Sequence, residues 1–147
     1  LFSPNLVENM RHGELTHFGS HQNDPLAPSI MVFLIEEIKK KNILARVQKY
    51  GKILLGKIVA IAAHQKIIVY PRGIGLMIAF DINEEIFTNE KNPGDELMNR
   101  LLARGVIIQC INRGRTFRVM PNFLISPEEI DFFIKNLNGS LNEIFNE

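Results

Sequence analysis

Residues 67–82 read Ile67-Ile68-Val69-Tyr70-Pro71-Arg72-Gly73-Ile74-Gly75-Leu76-Met77-Ile78-Ala79-Phe80-Asp81-Ile82, and this stretch decides the fold class. Its runs of β-branched and aromatic residues have no helical spacing, so Ile67–Tyr70 and Leu76–Ile82 read as strands. Gly73 and Gly75 between them mark a bend or bulge, where the absent side chain lets backbone turn or approach closely.

Upstream the period is helical. Leu44, Val47, Leu54, Leu55, Ile58 and Ala62 form one broad stripe with polar residues between them. Before it, Asp24 is a good N-cap and Pro25 suits the first helical position, with Ile30, Phe33, Leu34 and Ile38 at helical spacing, so a helix is expected from Pro25 to Lys41. Lys39, Lys40 and Lys41 lie where cations complement the helix dipole, and read as a solvated helix end. Residues 1–24 carry no apolar period and are rich in His, Asn, Gly and Ser, which marks a loop arm.

Downstream, residues 83–94 read as a polar loop ending in Asn92-Pro93-Gly94. Leu97, Met98, Leu101 and Leu102 then make a short amphipathic helix closed by Gly105. Val106–Cys110 and Thr116–Met120 read as strands joined by a hairpin turn at Asn112-Arg113-Gly114. In the last segment Ser126 caps, Pro127 takes the first position and Glu129 completes a capping box, while Ile130, Phe133, Ile134, Leu137, Leu141 and Ile144 trace an apolar face. Helices and strands do not strictly alternate, so the expected class is α+β, with a small antiparallel or mixed sheet covered by helices.

The whole chain has 147 residues, the size of one ordinary domain and short for a two-domain enzyme. Seventeen Lys+Arg against 16 Asp+Glu leave no electrostatic footprint for a phosphate backbone or an anionic membrane, so neither nucleic acid nor membrane is expected as a partner. A single cysteine, Cys110, forms no internal disulfide and no thiolate metal site, which favours a cytoplasmic setting. No secretory signal is visible, and the first residue is Leu1 rather than Met, so a natural start upstream is expected.

Few constellations carry chemistry. Gly73-Ile74-Gly75 lacks a third glycine and precedes a strand, so no helix N-terminus is available for a dinucleotide pyrophosphate. His12, His17 and His21 sit in the arm without helical period or a suitable carboxylate, which argues against a metal. Cys110 reads as a small core residue rather than a catalytic thiolate. Arg118 lies in the apolar strand Thr116-Phe117-Arg118-Val119-Met120, facing away from Phe117 and Val119. The strand pattern alone favours a snorkelling or ion-paired arginine over a fork that binds a ligand carboxylate. The donor-rich approach to Asp24 has two readings, a phosphate held near Ser20 by its hydroxyl and backbone amides or a capped helix entry, and the loop taken alone favours the second.

Three blocks carry a resemblance: His17-Phe18-Gly19-Ser20-His21-Gln22-Asn23-Asp24-Pro25-Leu26, Arg72-Gly73-Ile74-Gly75-Leu76-Met77-Ile78, and Thr116-Phe117-Arg118-Val119-Met120-Pro121 followed by Ile125-Ser126-Pro127-Glu128-Glu129-Ile130. In this order and separation they resemble the C-terminal part of the class III pyridoxal-phosphate aminotransferases. This group includes ornithine and 4-aminobutyrate transaminases and dialkylglycine decarboxylase, and the Asp-Pro-Leu form looks closest to the last.

The resemblance implies that residues 25–147 are the small C-terminal domain of a fold-type I enzyme and that residues 1–24 are an arm from the end of a large domain absent here. The Schiff-base lysine lies in that missing part, so this chain carries no catalytic residue and is expected to be inactive alone. The resemblance assigns Arg118 to the substrate carboxylate, reversing the reading from pattern alone. It assigns Ser20 and His21 to binding pyridoxal 5′-phosphate, Ser20 contacting the phosphate held by the other subunit of a homodimer. The implied reaction is ping-pong amino transfer between an amino acid or amine and a 2-oxo acid. Ile74 stands where many relatives have Arg, and Asn122-Phe123 where a second Pro and a Leu are usual; both leave the substrate range open. The alternative is a non-catalytic binding or interaction module that keeps the small-domain fold.

Overall fold

The computed structural model describes residues 24–86 and 92–146. It divides into two units, residues 1–37 and 38–147, the division falling within the first helix. That helix, α1 (Leu26–Lys40), begins where Asp24 Oδ1 accepts from the Leu26 N–H at 2.9 Å, the cap expected from the sequence.

The rest of the chain runs α2 (Ile43–Gln65), β1 (Ile68–Ile74), β2 (Met77–Ile82), a 3₁₀ turn (Glu84–Ile86), α3 (Pro93–Ala103), β3 (Gln109–Ile111), β4 (Thr116–Val119) and α4 (Pro127–Asn146). Among the described residues this is an α+β arrangement of four helices and one four-stranded sheet, ordered β1-β2-β4-β3 and antiparallel throughout. No helix of the described residues is long and apolar enough to cross a membrane.

The pleat decides which side is covered. Ile78 pairs with Val119, Phe80 with Phe117 and Ile82 with Ile68, and all six side chains are buried. The Phe80 and Phe117 rings stack 5.3 Å apart, within 7° of parallel. Leu54, Ile58 and Ile61 of α2, Leu97 and Leu101 of α3, and Ile130, Leu137 and Leu141 of α4 join the same core. Each fully buried side chain contributes about 1.5–3 kcal/mol of burial free energy before conformational entropy is set against it.

The buried stripe of α2 is rotated slightly from the one read off the sequence: Ile43 is buried and Leu44 is exposed. Apolar residues are dense enough in this helix that two neighbouring stripes fit the period, and packing chooses between them. Packing also explains Gly51, which lies so close to the β1–β2 turn that a Cβ there would stand 2.0 Å from the Gly75 carbonyl oxygen. Gly75 itself takes φ +54° and makes the turn. The irregularity of β1 is not at the glycines but between Val69 and Arg72, where Tyr70 takes φ 51° ahead of Pro71.

Two further boundaries differ from expectation. Asn92-Pro93-Gly94 is not the end of a loop but the start of α3: Asn92 Oδ1 accepts from the N–H groups of Gly94 (3.1 Å) and Asp95 (3.3 Å), with Pro93 at the first helical position. Strand β3 begins only at Gln109, leaving Val106–Ile108 outside the ladder. The β3–β4 turn is where it was expected, with positive φ at Asn112, Arg113 and Gly114.

Helix α4 opens with the expected capping box: the Glu129 N–H donates to Ser126 Oγ at 3.2 Å and the Ser126 N–H to Glu129 Oε2 at 2.7 Å. Gly139 does not interrupt it. Arg100 of α3 bridges Glu96 at 2.7 Å and Glu143 of α4 at 3.0 Å, and Arg104 also pairs with Glu143.

Candidate functional site: a guanidinium on the open face of the sheet

The face of the sheet opposite the core carries the polar side chains. Arg72 of β1, Ala79 of β2, Arg118 of β4 and Gln109 of β3 lie in one row across all four strands. Asp81, two residues along β2 from Ala79, lies on the same face and is the carboxylate of this row's neighbourhood.

Arg72 takes it. Its Nη1 donates to Asp81 Oδ2 at 2.9 Å and its Nη2 to Asp81 Oδ1 at 3.1 Å, a two-bond fork. Nη1 also donates to the Tyr70 carbonyl at 2.8 Å, so the turned backbone at the β1 irregularity is held by the same guanidinium.

Arg118 is half-buried and, among the described residues, pairs with no carboxylate. Its Nη2 donates to the Met120 sulfur at 3.6 Å, a weak acceptor. Arg118 and Met120 are shared by two adjoining clefts. A smaller one, about 160 Å³, is lined by Arg72, Gly73, Met77 and Ala79. A larger one, about 230 Å³, lies at the end of β4 between Ile107–Gln109, Pro121, Ile125 and Phe133. Both are smaller than a whole small-molecule pocket of roughly 300–1,000 Å³.

The clefts' chemistry is narrow. A guanidinium beside thioether and aliphatic carbon suits a planar anion such as a carboxylate. Neither cleft is lined by a lysine or an aspartate, so neither by itself offers an amine to a pyridoxal aldehyde or a carboxylate to its ring nitrogen. Ser20 and His21, assigned to the cofactor by the resemblance, lie outside the described residues, as do His12 and His17. Among the described residues no group of His, Cys, Asp and Glu is placed to hold a metal ion. Cys110 is half-buried in β3, and burial, with the charge of Asp95 adding, pushes its thiol above the ordinary range.

Arg46, to which neither residue type nor spacing drew attention, comes close to this site from α2. Its Nη2 donates to the carbonyl oxygens of Leu124 at 3.1 Å and Ile125 at 2.6 Å, in the segment that follows Arg118. A contact between a side chain and backbone carbonyls some eighty positions away leaves no mark in a local window of sequence.

The pattern of the family described as aminotransferase class III matches residues 3–141. The human mitochondrial alanine–glyoxylate aminotransferase 2 is 27% identical over 138 residues, which cover 88% of this chain and 26% of that protein. The solved structure of lysine aminotransferase from M. tuberculosis is similar with a TM-score of 0.67 at 28% identity, over 76% of this chain and 24% of that one. Ornithine aminotransferase from Plasmodium yoelii has a TM-score of 0.75 over 92% of this chain and 35% of that one, and at 23% identity this likeness shows the fold alone. The chain thus spans about a quarter of the length of the curated relatives it matches. Enzymes of this family depend on pyridoxal 5′-phosphate. With the pattern running over nearly its whole length, the chain belongs to the class III aminotransferases.

Proposed function

We propose that this chain is the C-terminal small domain of a pyridoxal-phosphate-dependent transaminase, and that Arg118 binds the carboxylate of its amino-acid substrate. The observation that carries the reading is the unequal fate of two arginines in one row of the sheet. Asp81 is committed to Arg72 through both oxygens, while among the described residues Arg118, beside a cleft, pairs with no carboxylate. The Arg118 guanidinium is an accessible charge-assisted donor, and a ligand carboxylate is the planar anion that its fork fits.

The chain's own contribution is binding and orientation. Arg118 fixes the substrate by two parallel N–H···O bonds, which sets the plane of the carboxylate and so the direction of the Cα substituents. Met77, Met120 and Ile107 give the two clefts beside that contact an apolar lining. The cofactor supplies the electron sink when bound. We place its ring-binding residues and the Schiff-base lysine in polypeptide N-terminal to residue 1, with Ser20 and His21 reaching the phosphate across a homodimer. On this reading residues 1–24 are an arm of the large domain, residues 25–147 are the small domain, residues 1–147 alone do not transaminate, and the second substrate is a 2-oxo acid.

The test is Arg118→Ala in the full-length protein, assayed with an amino acid and with an amine that lacks the carboxylate. Charge-assisted hydrogen bonds are worth about 1.5–3 kcal/mol, so kcat/KM for the amino acid is expected to fall roughly 10- to 100-fold while the amine changes little. Equal losses for both substrates would make the arginine structural and overturn the assignment.

A further inference from the structure

The segment after β4 is held from two sides. From within, Asn122 Oδ1 accepts from the Leu124 N–H at 2.7 Å and the Asn122 carbonyl from the Ile125 N–H at 3.2 Å, closing a compact turn. From outside, the Arg46 guanidinium of α2 is clamped on the carbonyls of Leu124 and Ile125. Arg46 lies 4.5 Å from the Tyr50 ring centroid, which fixes its orientation on the helix. Among the described residues it pairs with no carboxylate, so its charge is directed at backbone oxygens.

The segment so held has a consequence for the cleft. Pro121 and Ile125 are part of its lining, together with Arg118 itself. Only two residues separate Arg118 from Pro121, so any shift of the wall is passed to the end of β4.

We infer that Arg46 is a positioning residue for substrate: it holds the Pro121–Ile125 wall in the place from which Arg118 presents its fork to a carboxylate. The inference rests on the Arg118 reading above. Arg46 touches no substrate and takes no part in proton movement; it acts through the backbone of the segment that Asn122 folds.

The experiment uses the full-length holoenzyme with Arg46→Met, Arg46→Lys and Arg46→Met combined with Arg118→Ala, each assayed with an amino acid and with an amine lacking the carboxylate. Displacement of a binding group by a fraction of an ångström to 1 Å predicts a roughly tenfold rise in KM for the amino acid with a smaller change in kcat. Arg46→Lys, which keeps a donor, recovers part of the loss. In the Arg118→Ala background Arg46→Met adds no further rise in KM, because the two residues act on one contact. If Arg46→Met does not accumulate as folded protein, Asn122→Ala loosens the same wall without touching α2 and carries the same expectation. Equal losses for amino acid and amine, or a full additional loss in the Arg118→Ala background, would overturn the inference. Should Arg118→Ala itself fail to separate the two substrates, the Arg118 assignment falls; should it separate them while Arg46→Met does not, only the role of Arg46 falls.

Discussion

Three helical glycines make one substitution informative. Gly51 and Gly56 lie in α2 and Gly139 in α4, and helix propensity alone favours alanine over glycine by about 0.8–1 kcal/mol at each. At Gly56 and Gly139 nothing stands within 4 Å of the place an added methyl carbon would take, so the gain is realised. At Gly51 the added carbon would meet the Gly75 carbonyl oxygen at 2.0 Å, its carbon at 2.4 Å and its Cα at 2.8 Å, far inside the 3.4 Å at which ordinary contact begins. All three atoms are backbone, so no rotamer change relieves the overlap; α2 and the β1–β2 turn must part. Overpacking costs about 1–3 kcal/mol, and a rigid backbone clash belongs at the upper end, which leaves Gly51→Ala about 2 kcal/mol destabilised after the helical gain. Gly56→Ala and Gly139→Ala are each expected to stabilise by about 0.5–1 kcal/mol. Urea denaturation followed by far-UV circular dichroism, with the wild type alongside, reads all three. If Gly51→Ala shifts the midpoint upward as Gly56→Ala does, the close packing of α2 on the turn is not what holds this hairpin.

Removing the capping hydroxyl in Ser126→Ala is expected to cost about 1 kcal/mol in the same assay, and Ser126→Asp to cost less because it retains an acceptor for the Glu129 N–H. A second consequence concerns acid. Hydrogen bonds from Arg100, then Arg104, hold the Glu143 carboxyl below its ordinary value of 4.5. A depressed folded value means that this contribution is present above the unfolded pKa and is lost as pH falls through the folded one. Glu143→Gln should therefore flatten the acid limb of a stability-versus-pH curve below about pH 4.5, an effect that added salt reduces because the carboxylate is exposed. An unchanged acid limb in Glu143→Gln would show that the α3–α4 bridge does not contribute.

The parts of this fold that are legible in the sequence are those written in local chemistry. The Ser126–Glu129 capping box, the Asn112–Gly114 turn and the Asp24 cap each depend on residues within a few positions of one another, and each is found where residue type places it. The start of α3 escapes such a reading because Asn-Pro-Gly serves equally as a turn or as cap and first helical positions, and only the hydrogen bonds of Asn92 decide. Why Gly51 is bare depends on the hairpin packed against α2, and no local window of sequence contains both. The candidate site divides the same way. Strand alternation puts Arg118 on the polar face, but that Asp81 is occupied by Arg72 and that Arg46 holds the segment beyond Arg118 are facts of register and of tertiary approach.

A sheet can grow only at its margins, and both margins here are poor seeds. Among the described residues β3 offers three residues, the short end of the usual strand length of roughly 3–10, and so short an edge is a poor template. On the far side, β1 loses its even ladder at Tyr70, and Pro71 brings no N–H to donate to a newcomer. A chain docking there would find its hydrogen-bond rail broken at mid-length, so recruitment of a fifth strand, and the cross-β stacking that begins that way, is obstructed at each boundary by the same backbone that frames the arginine row.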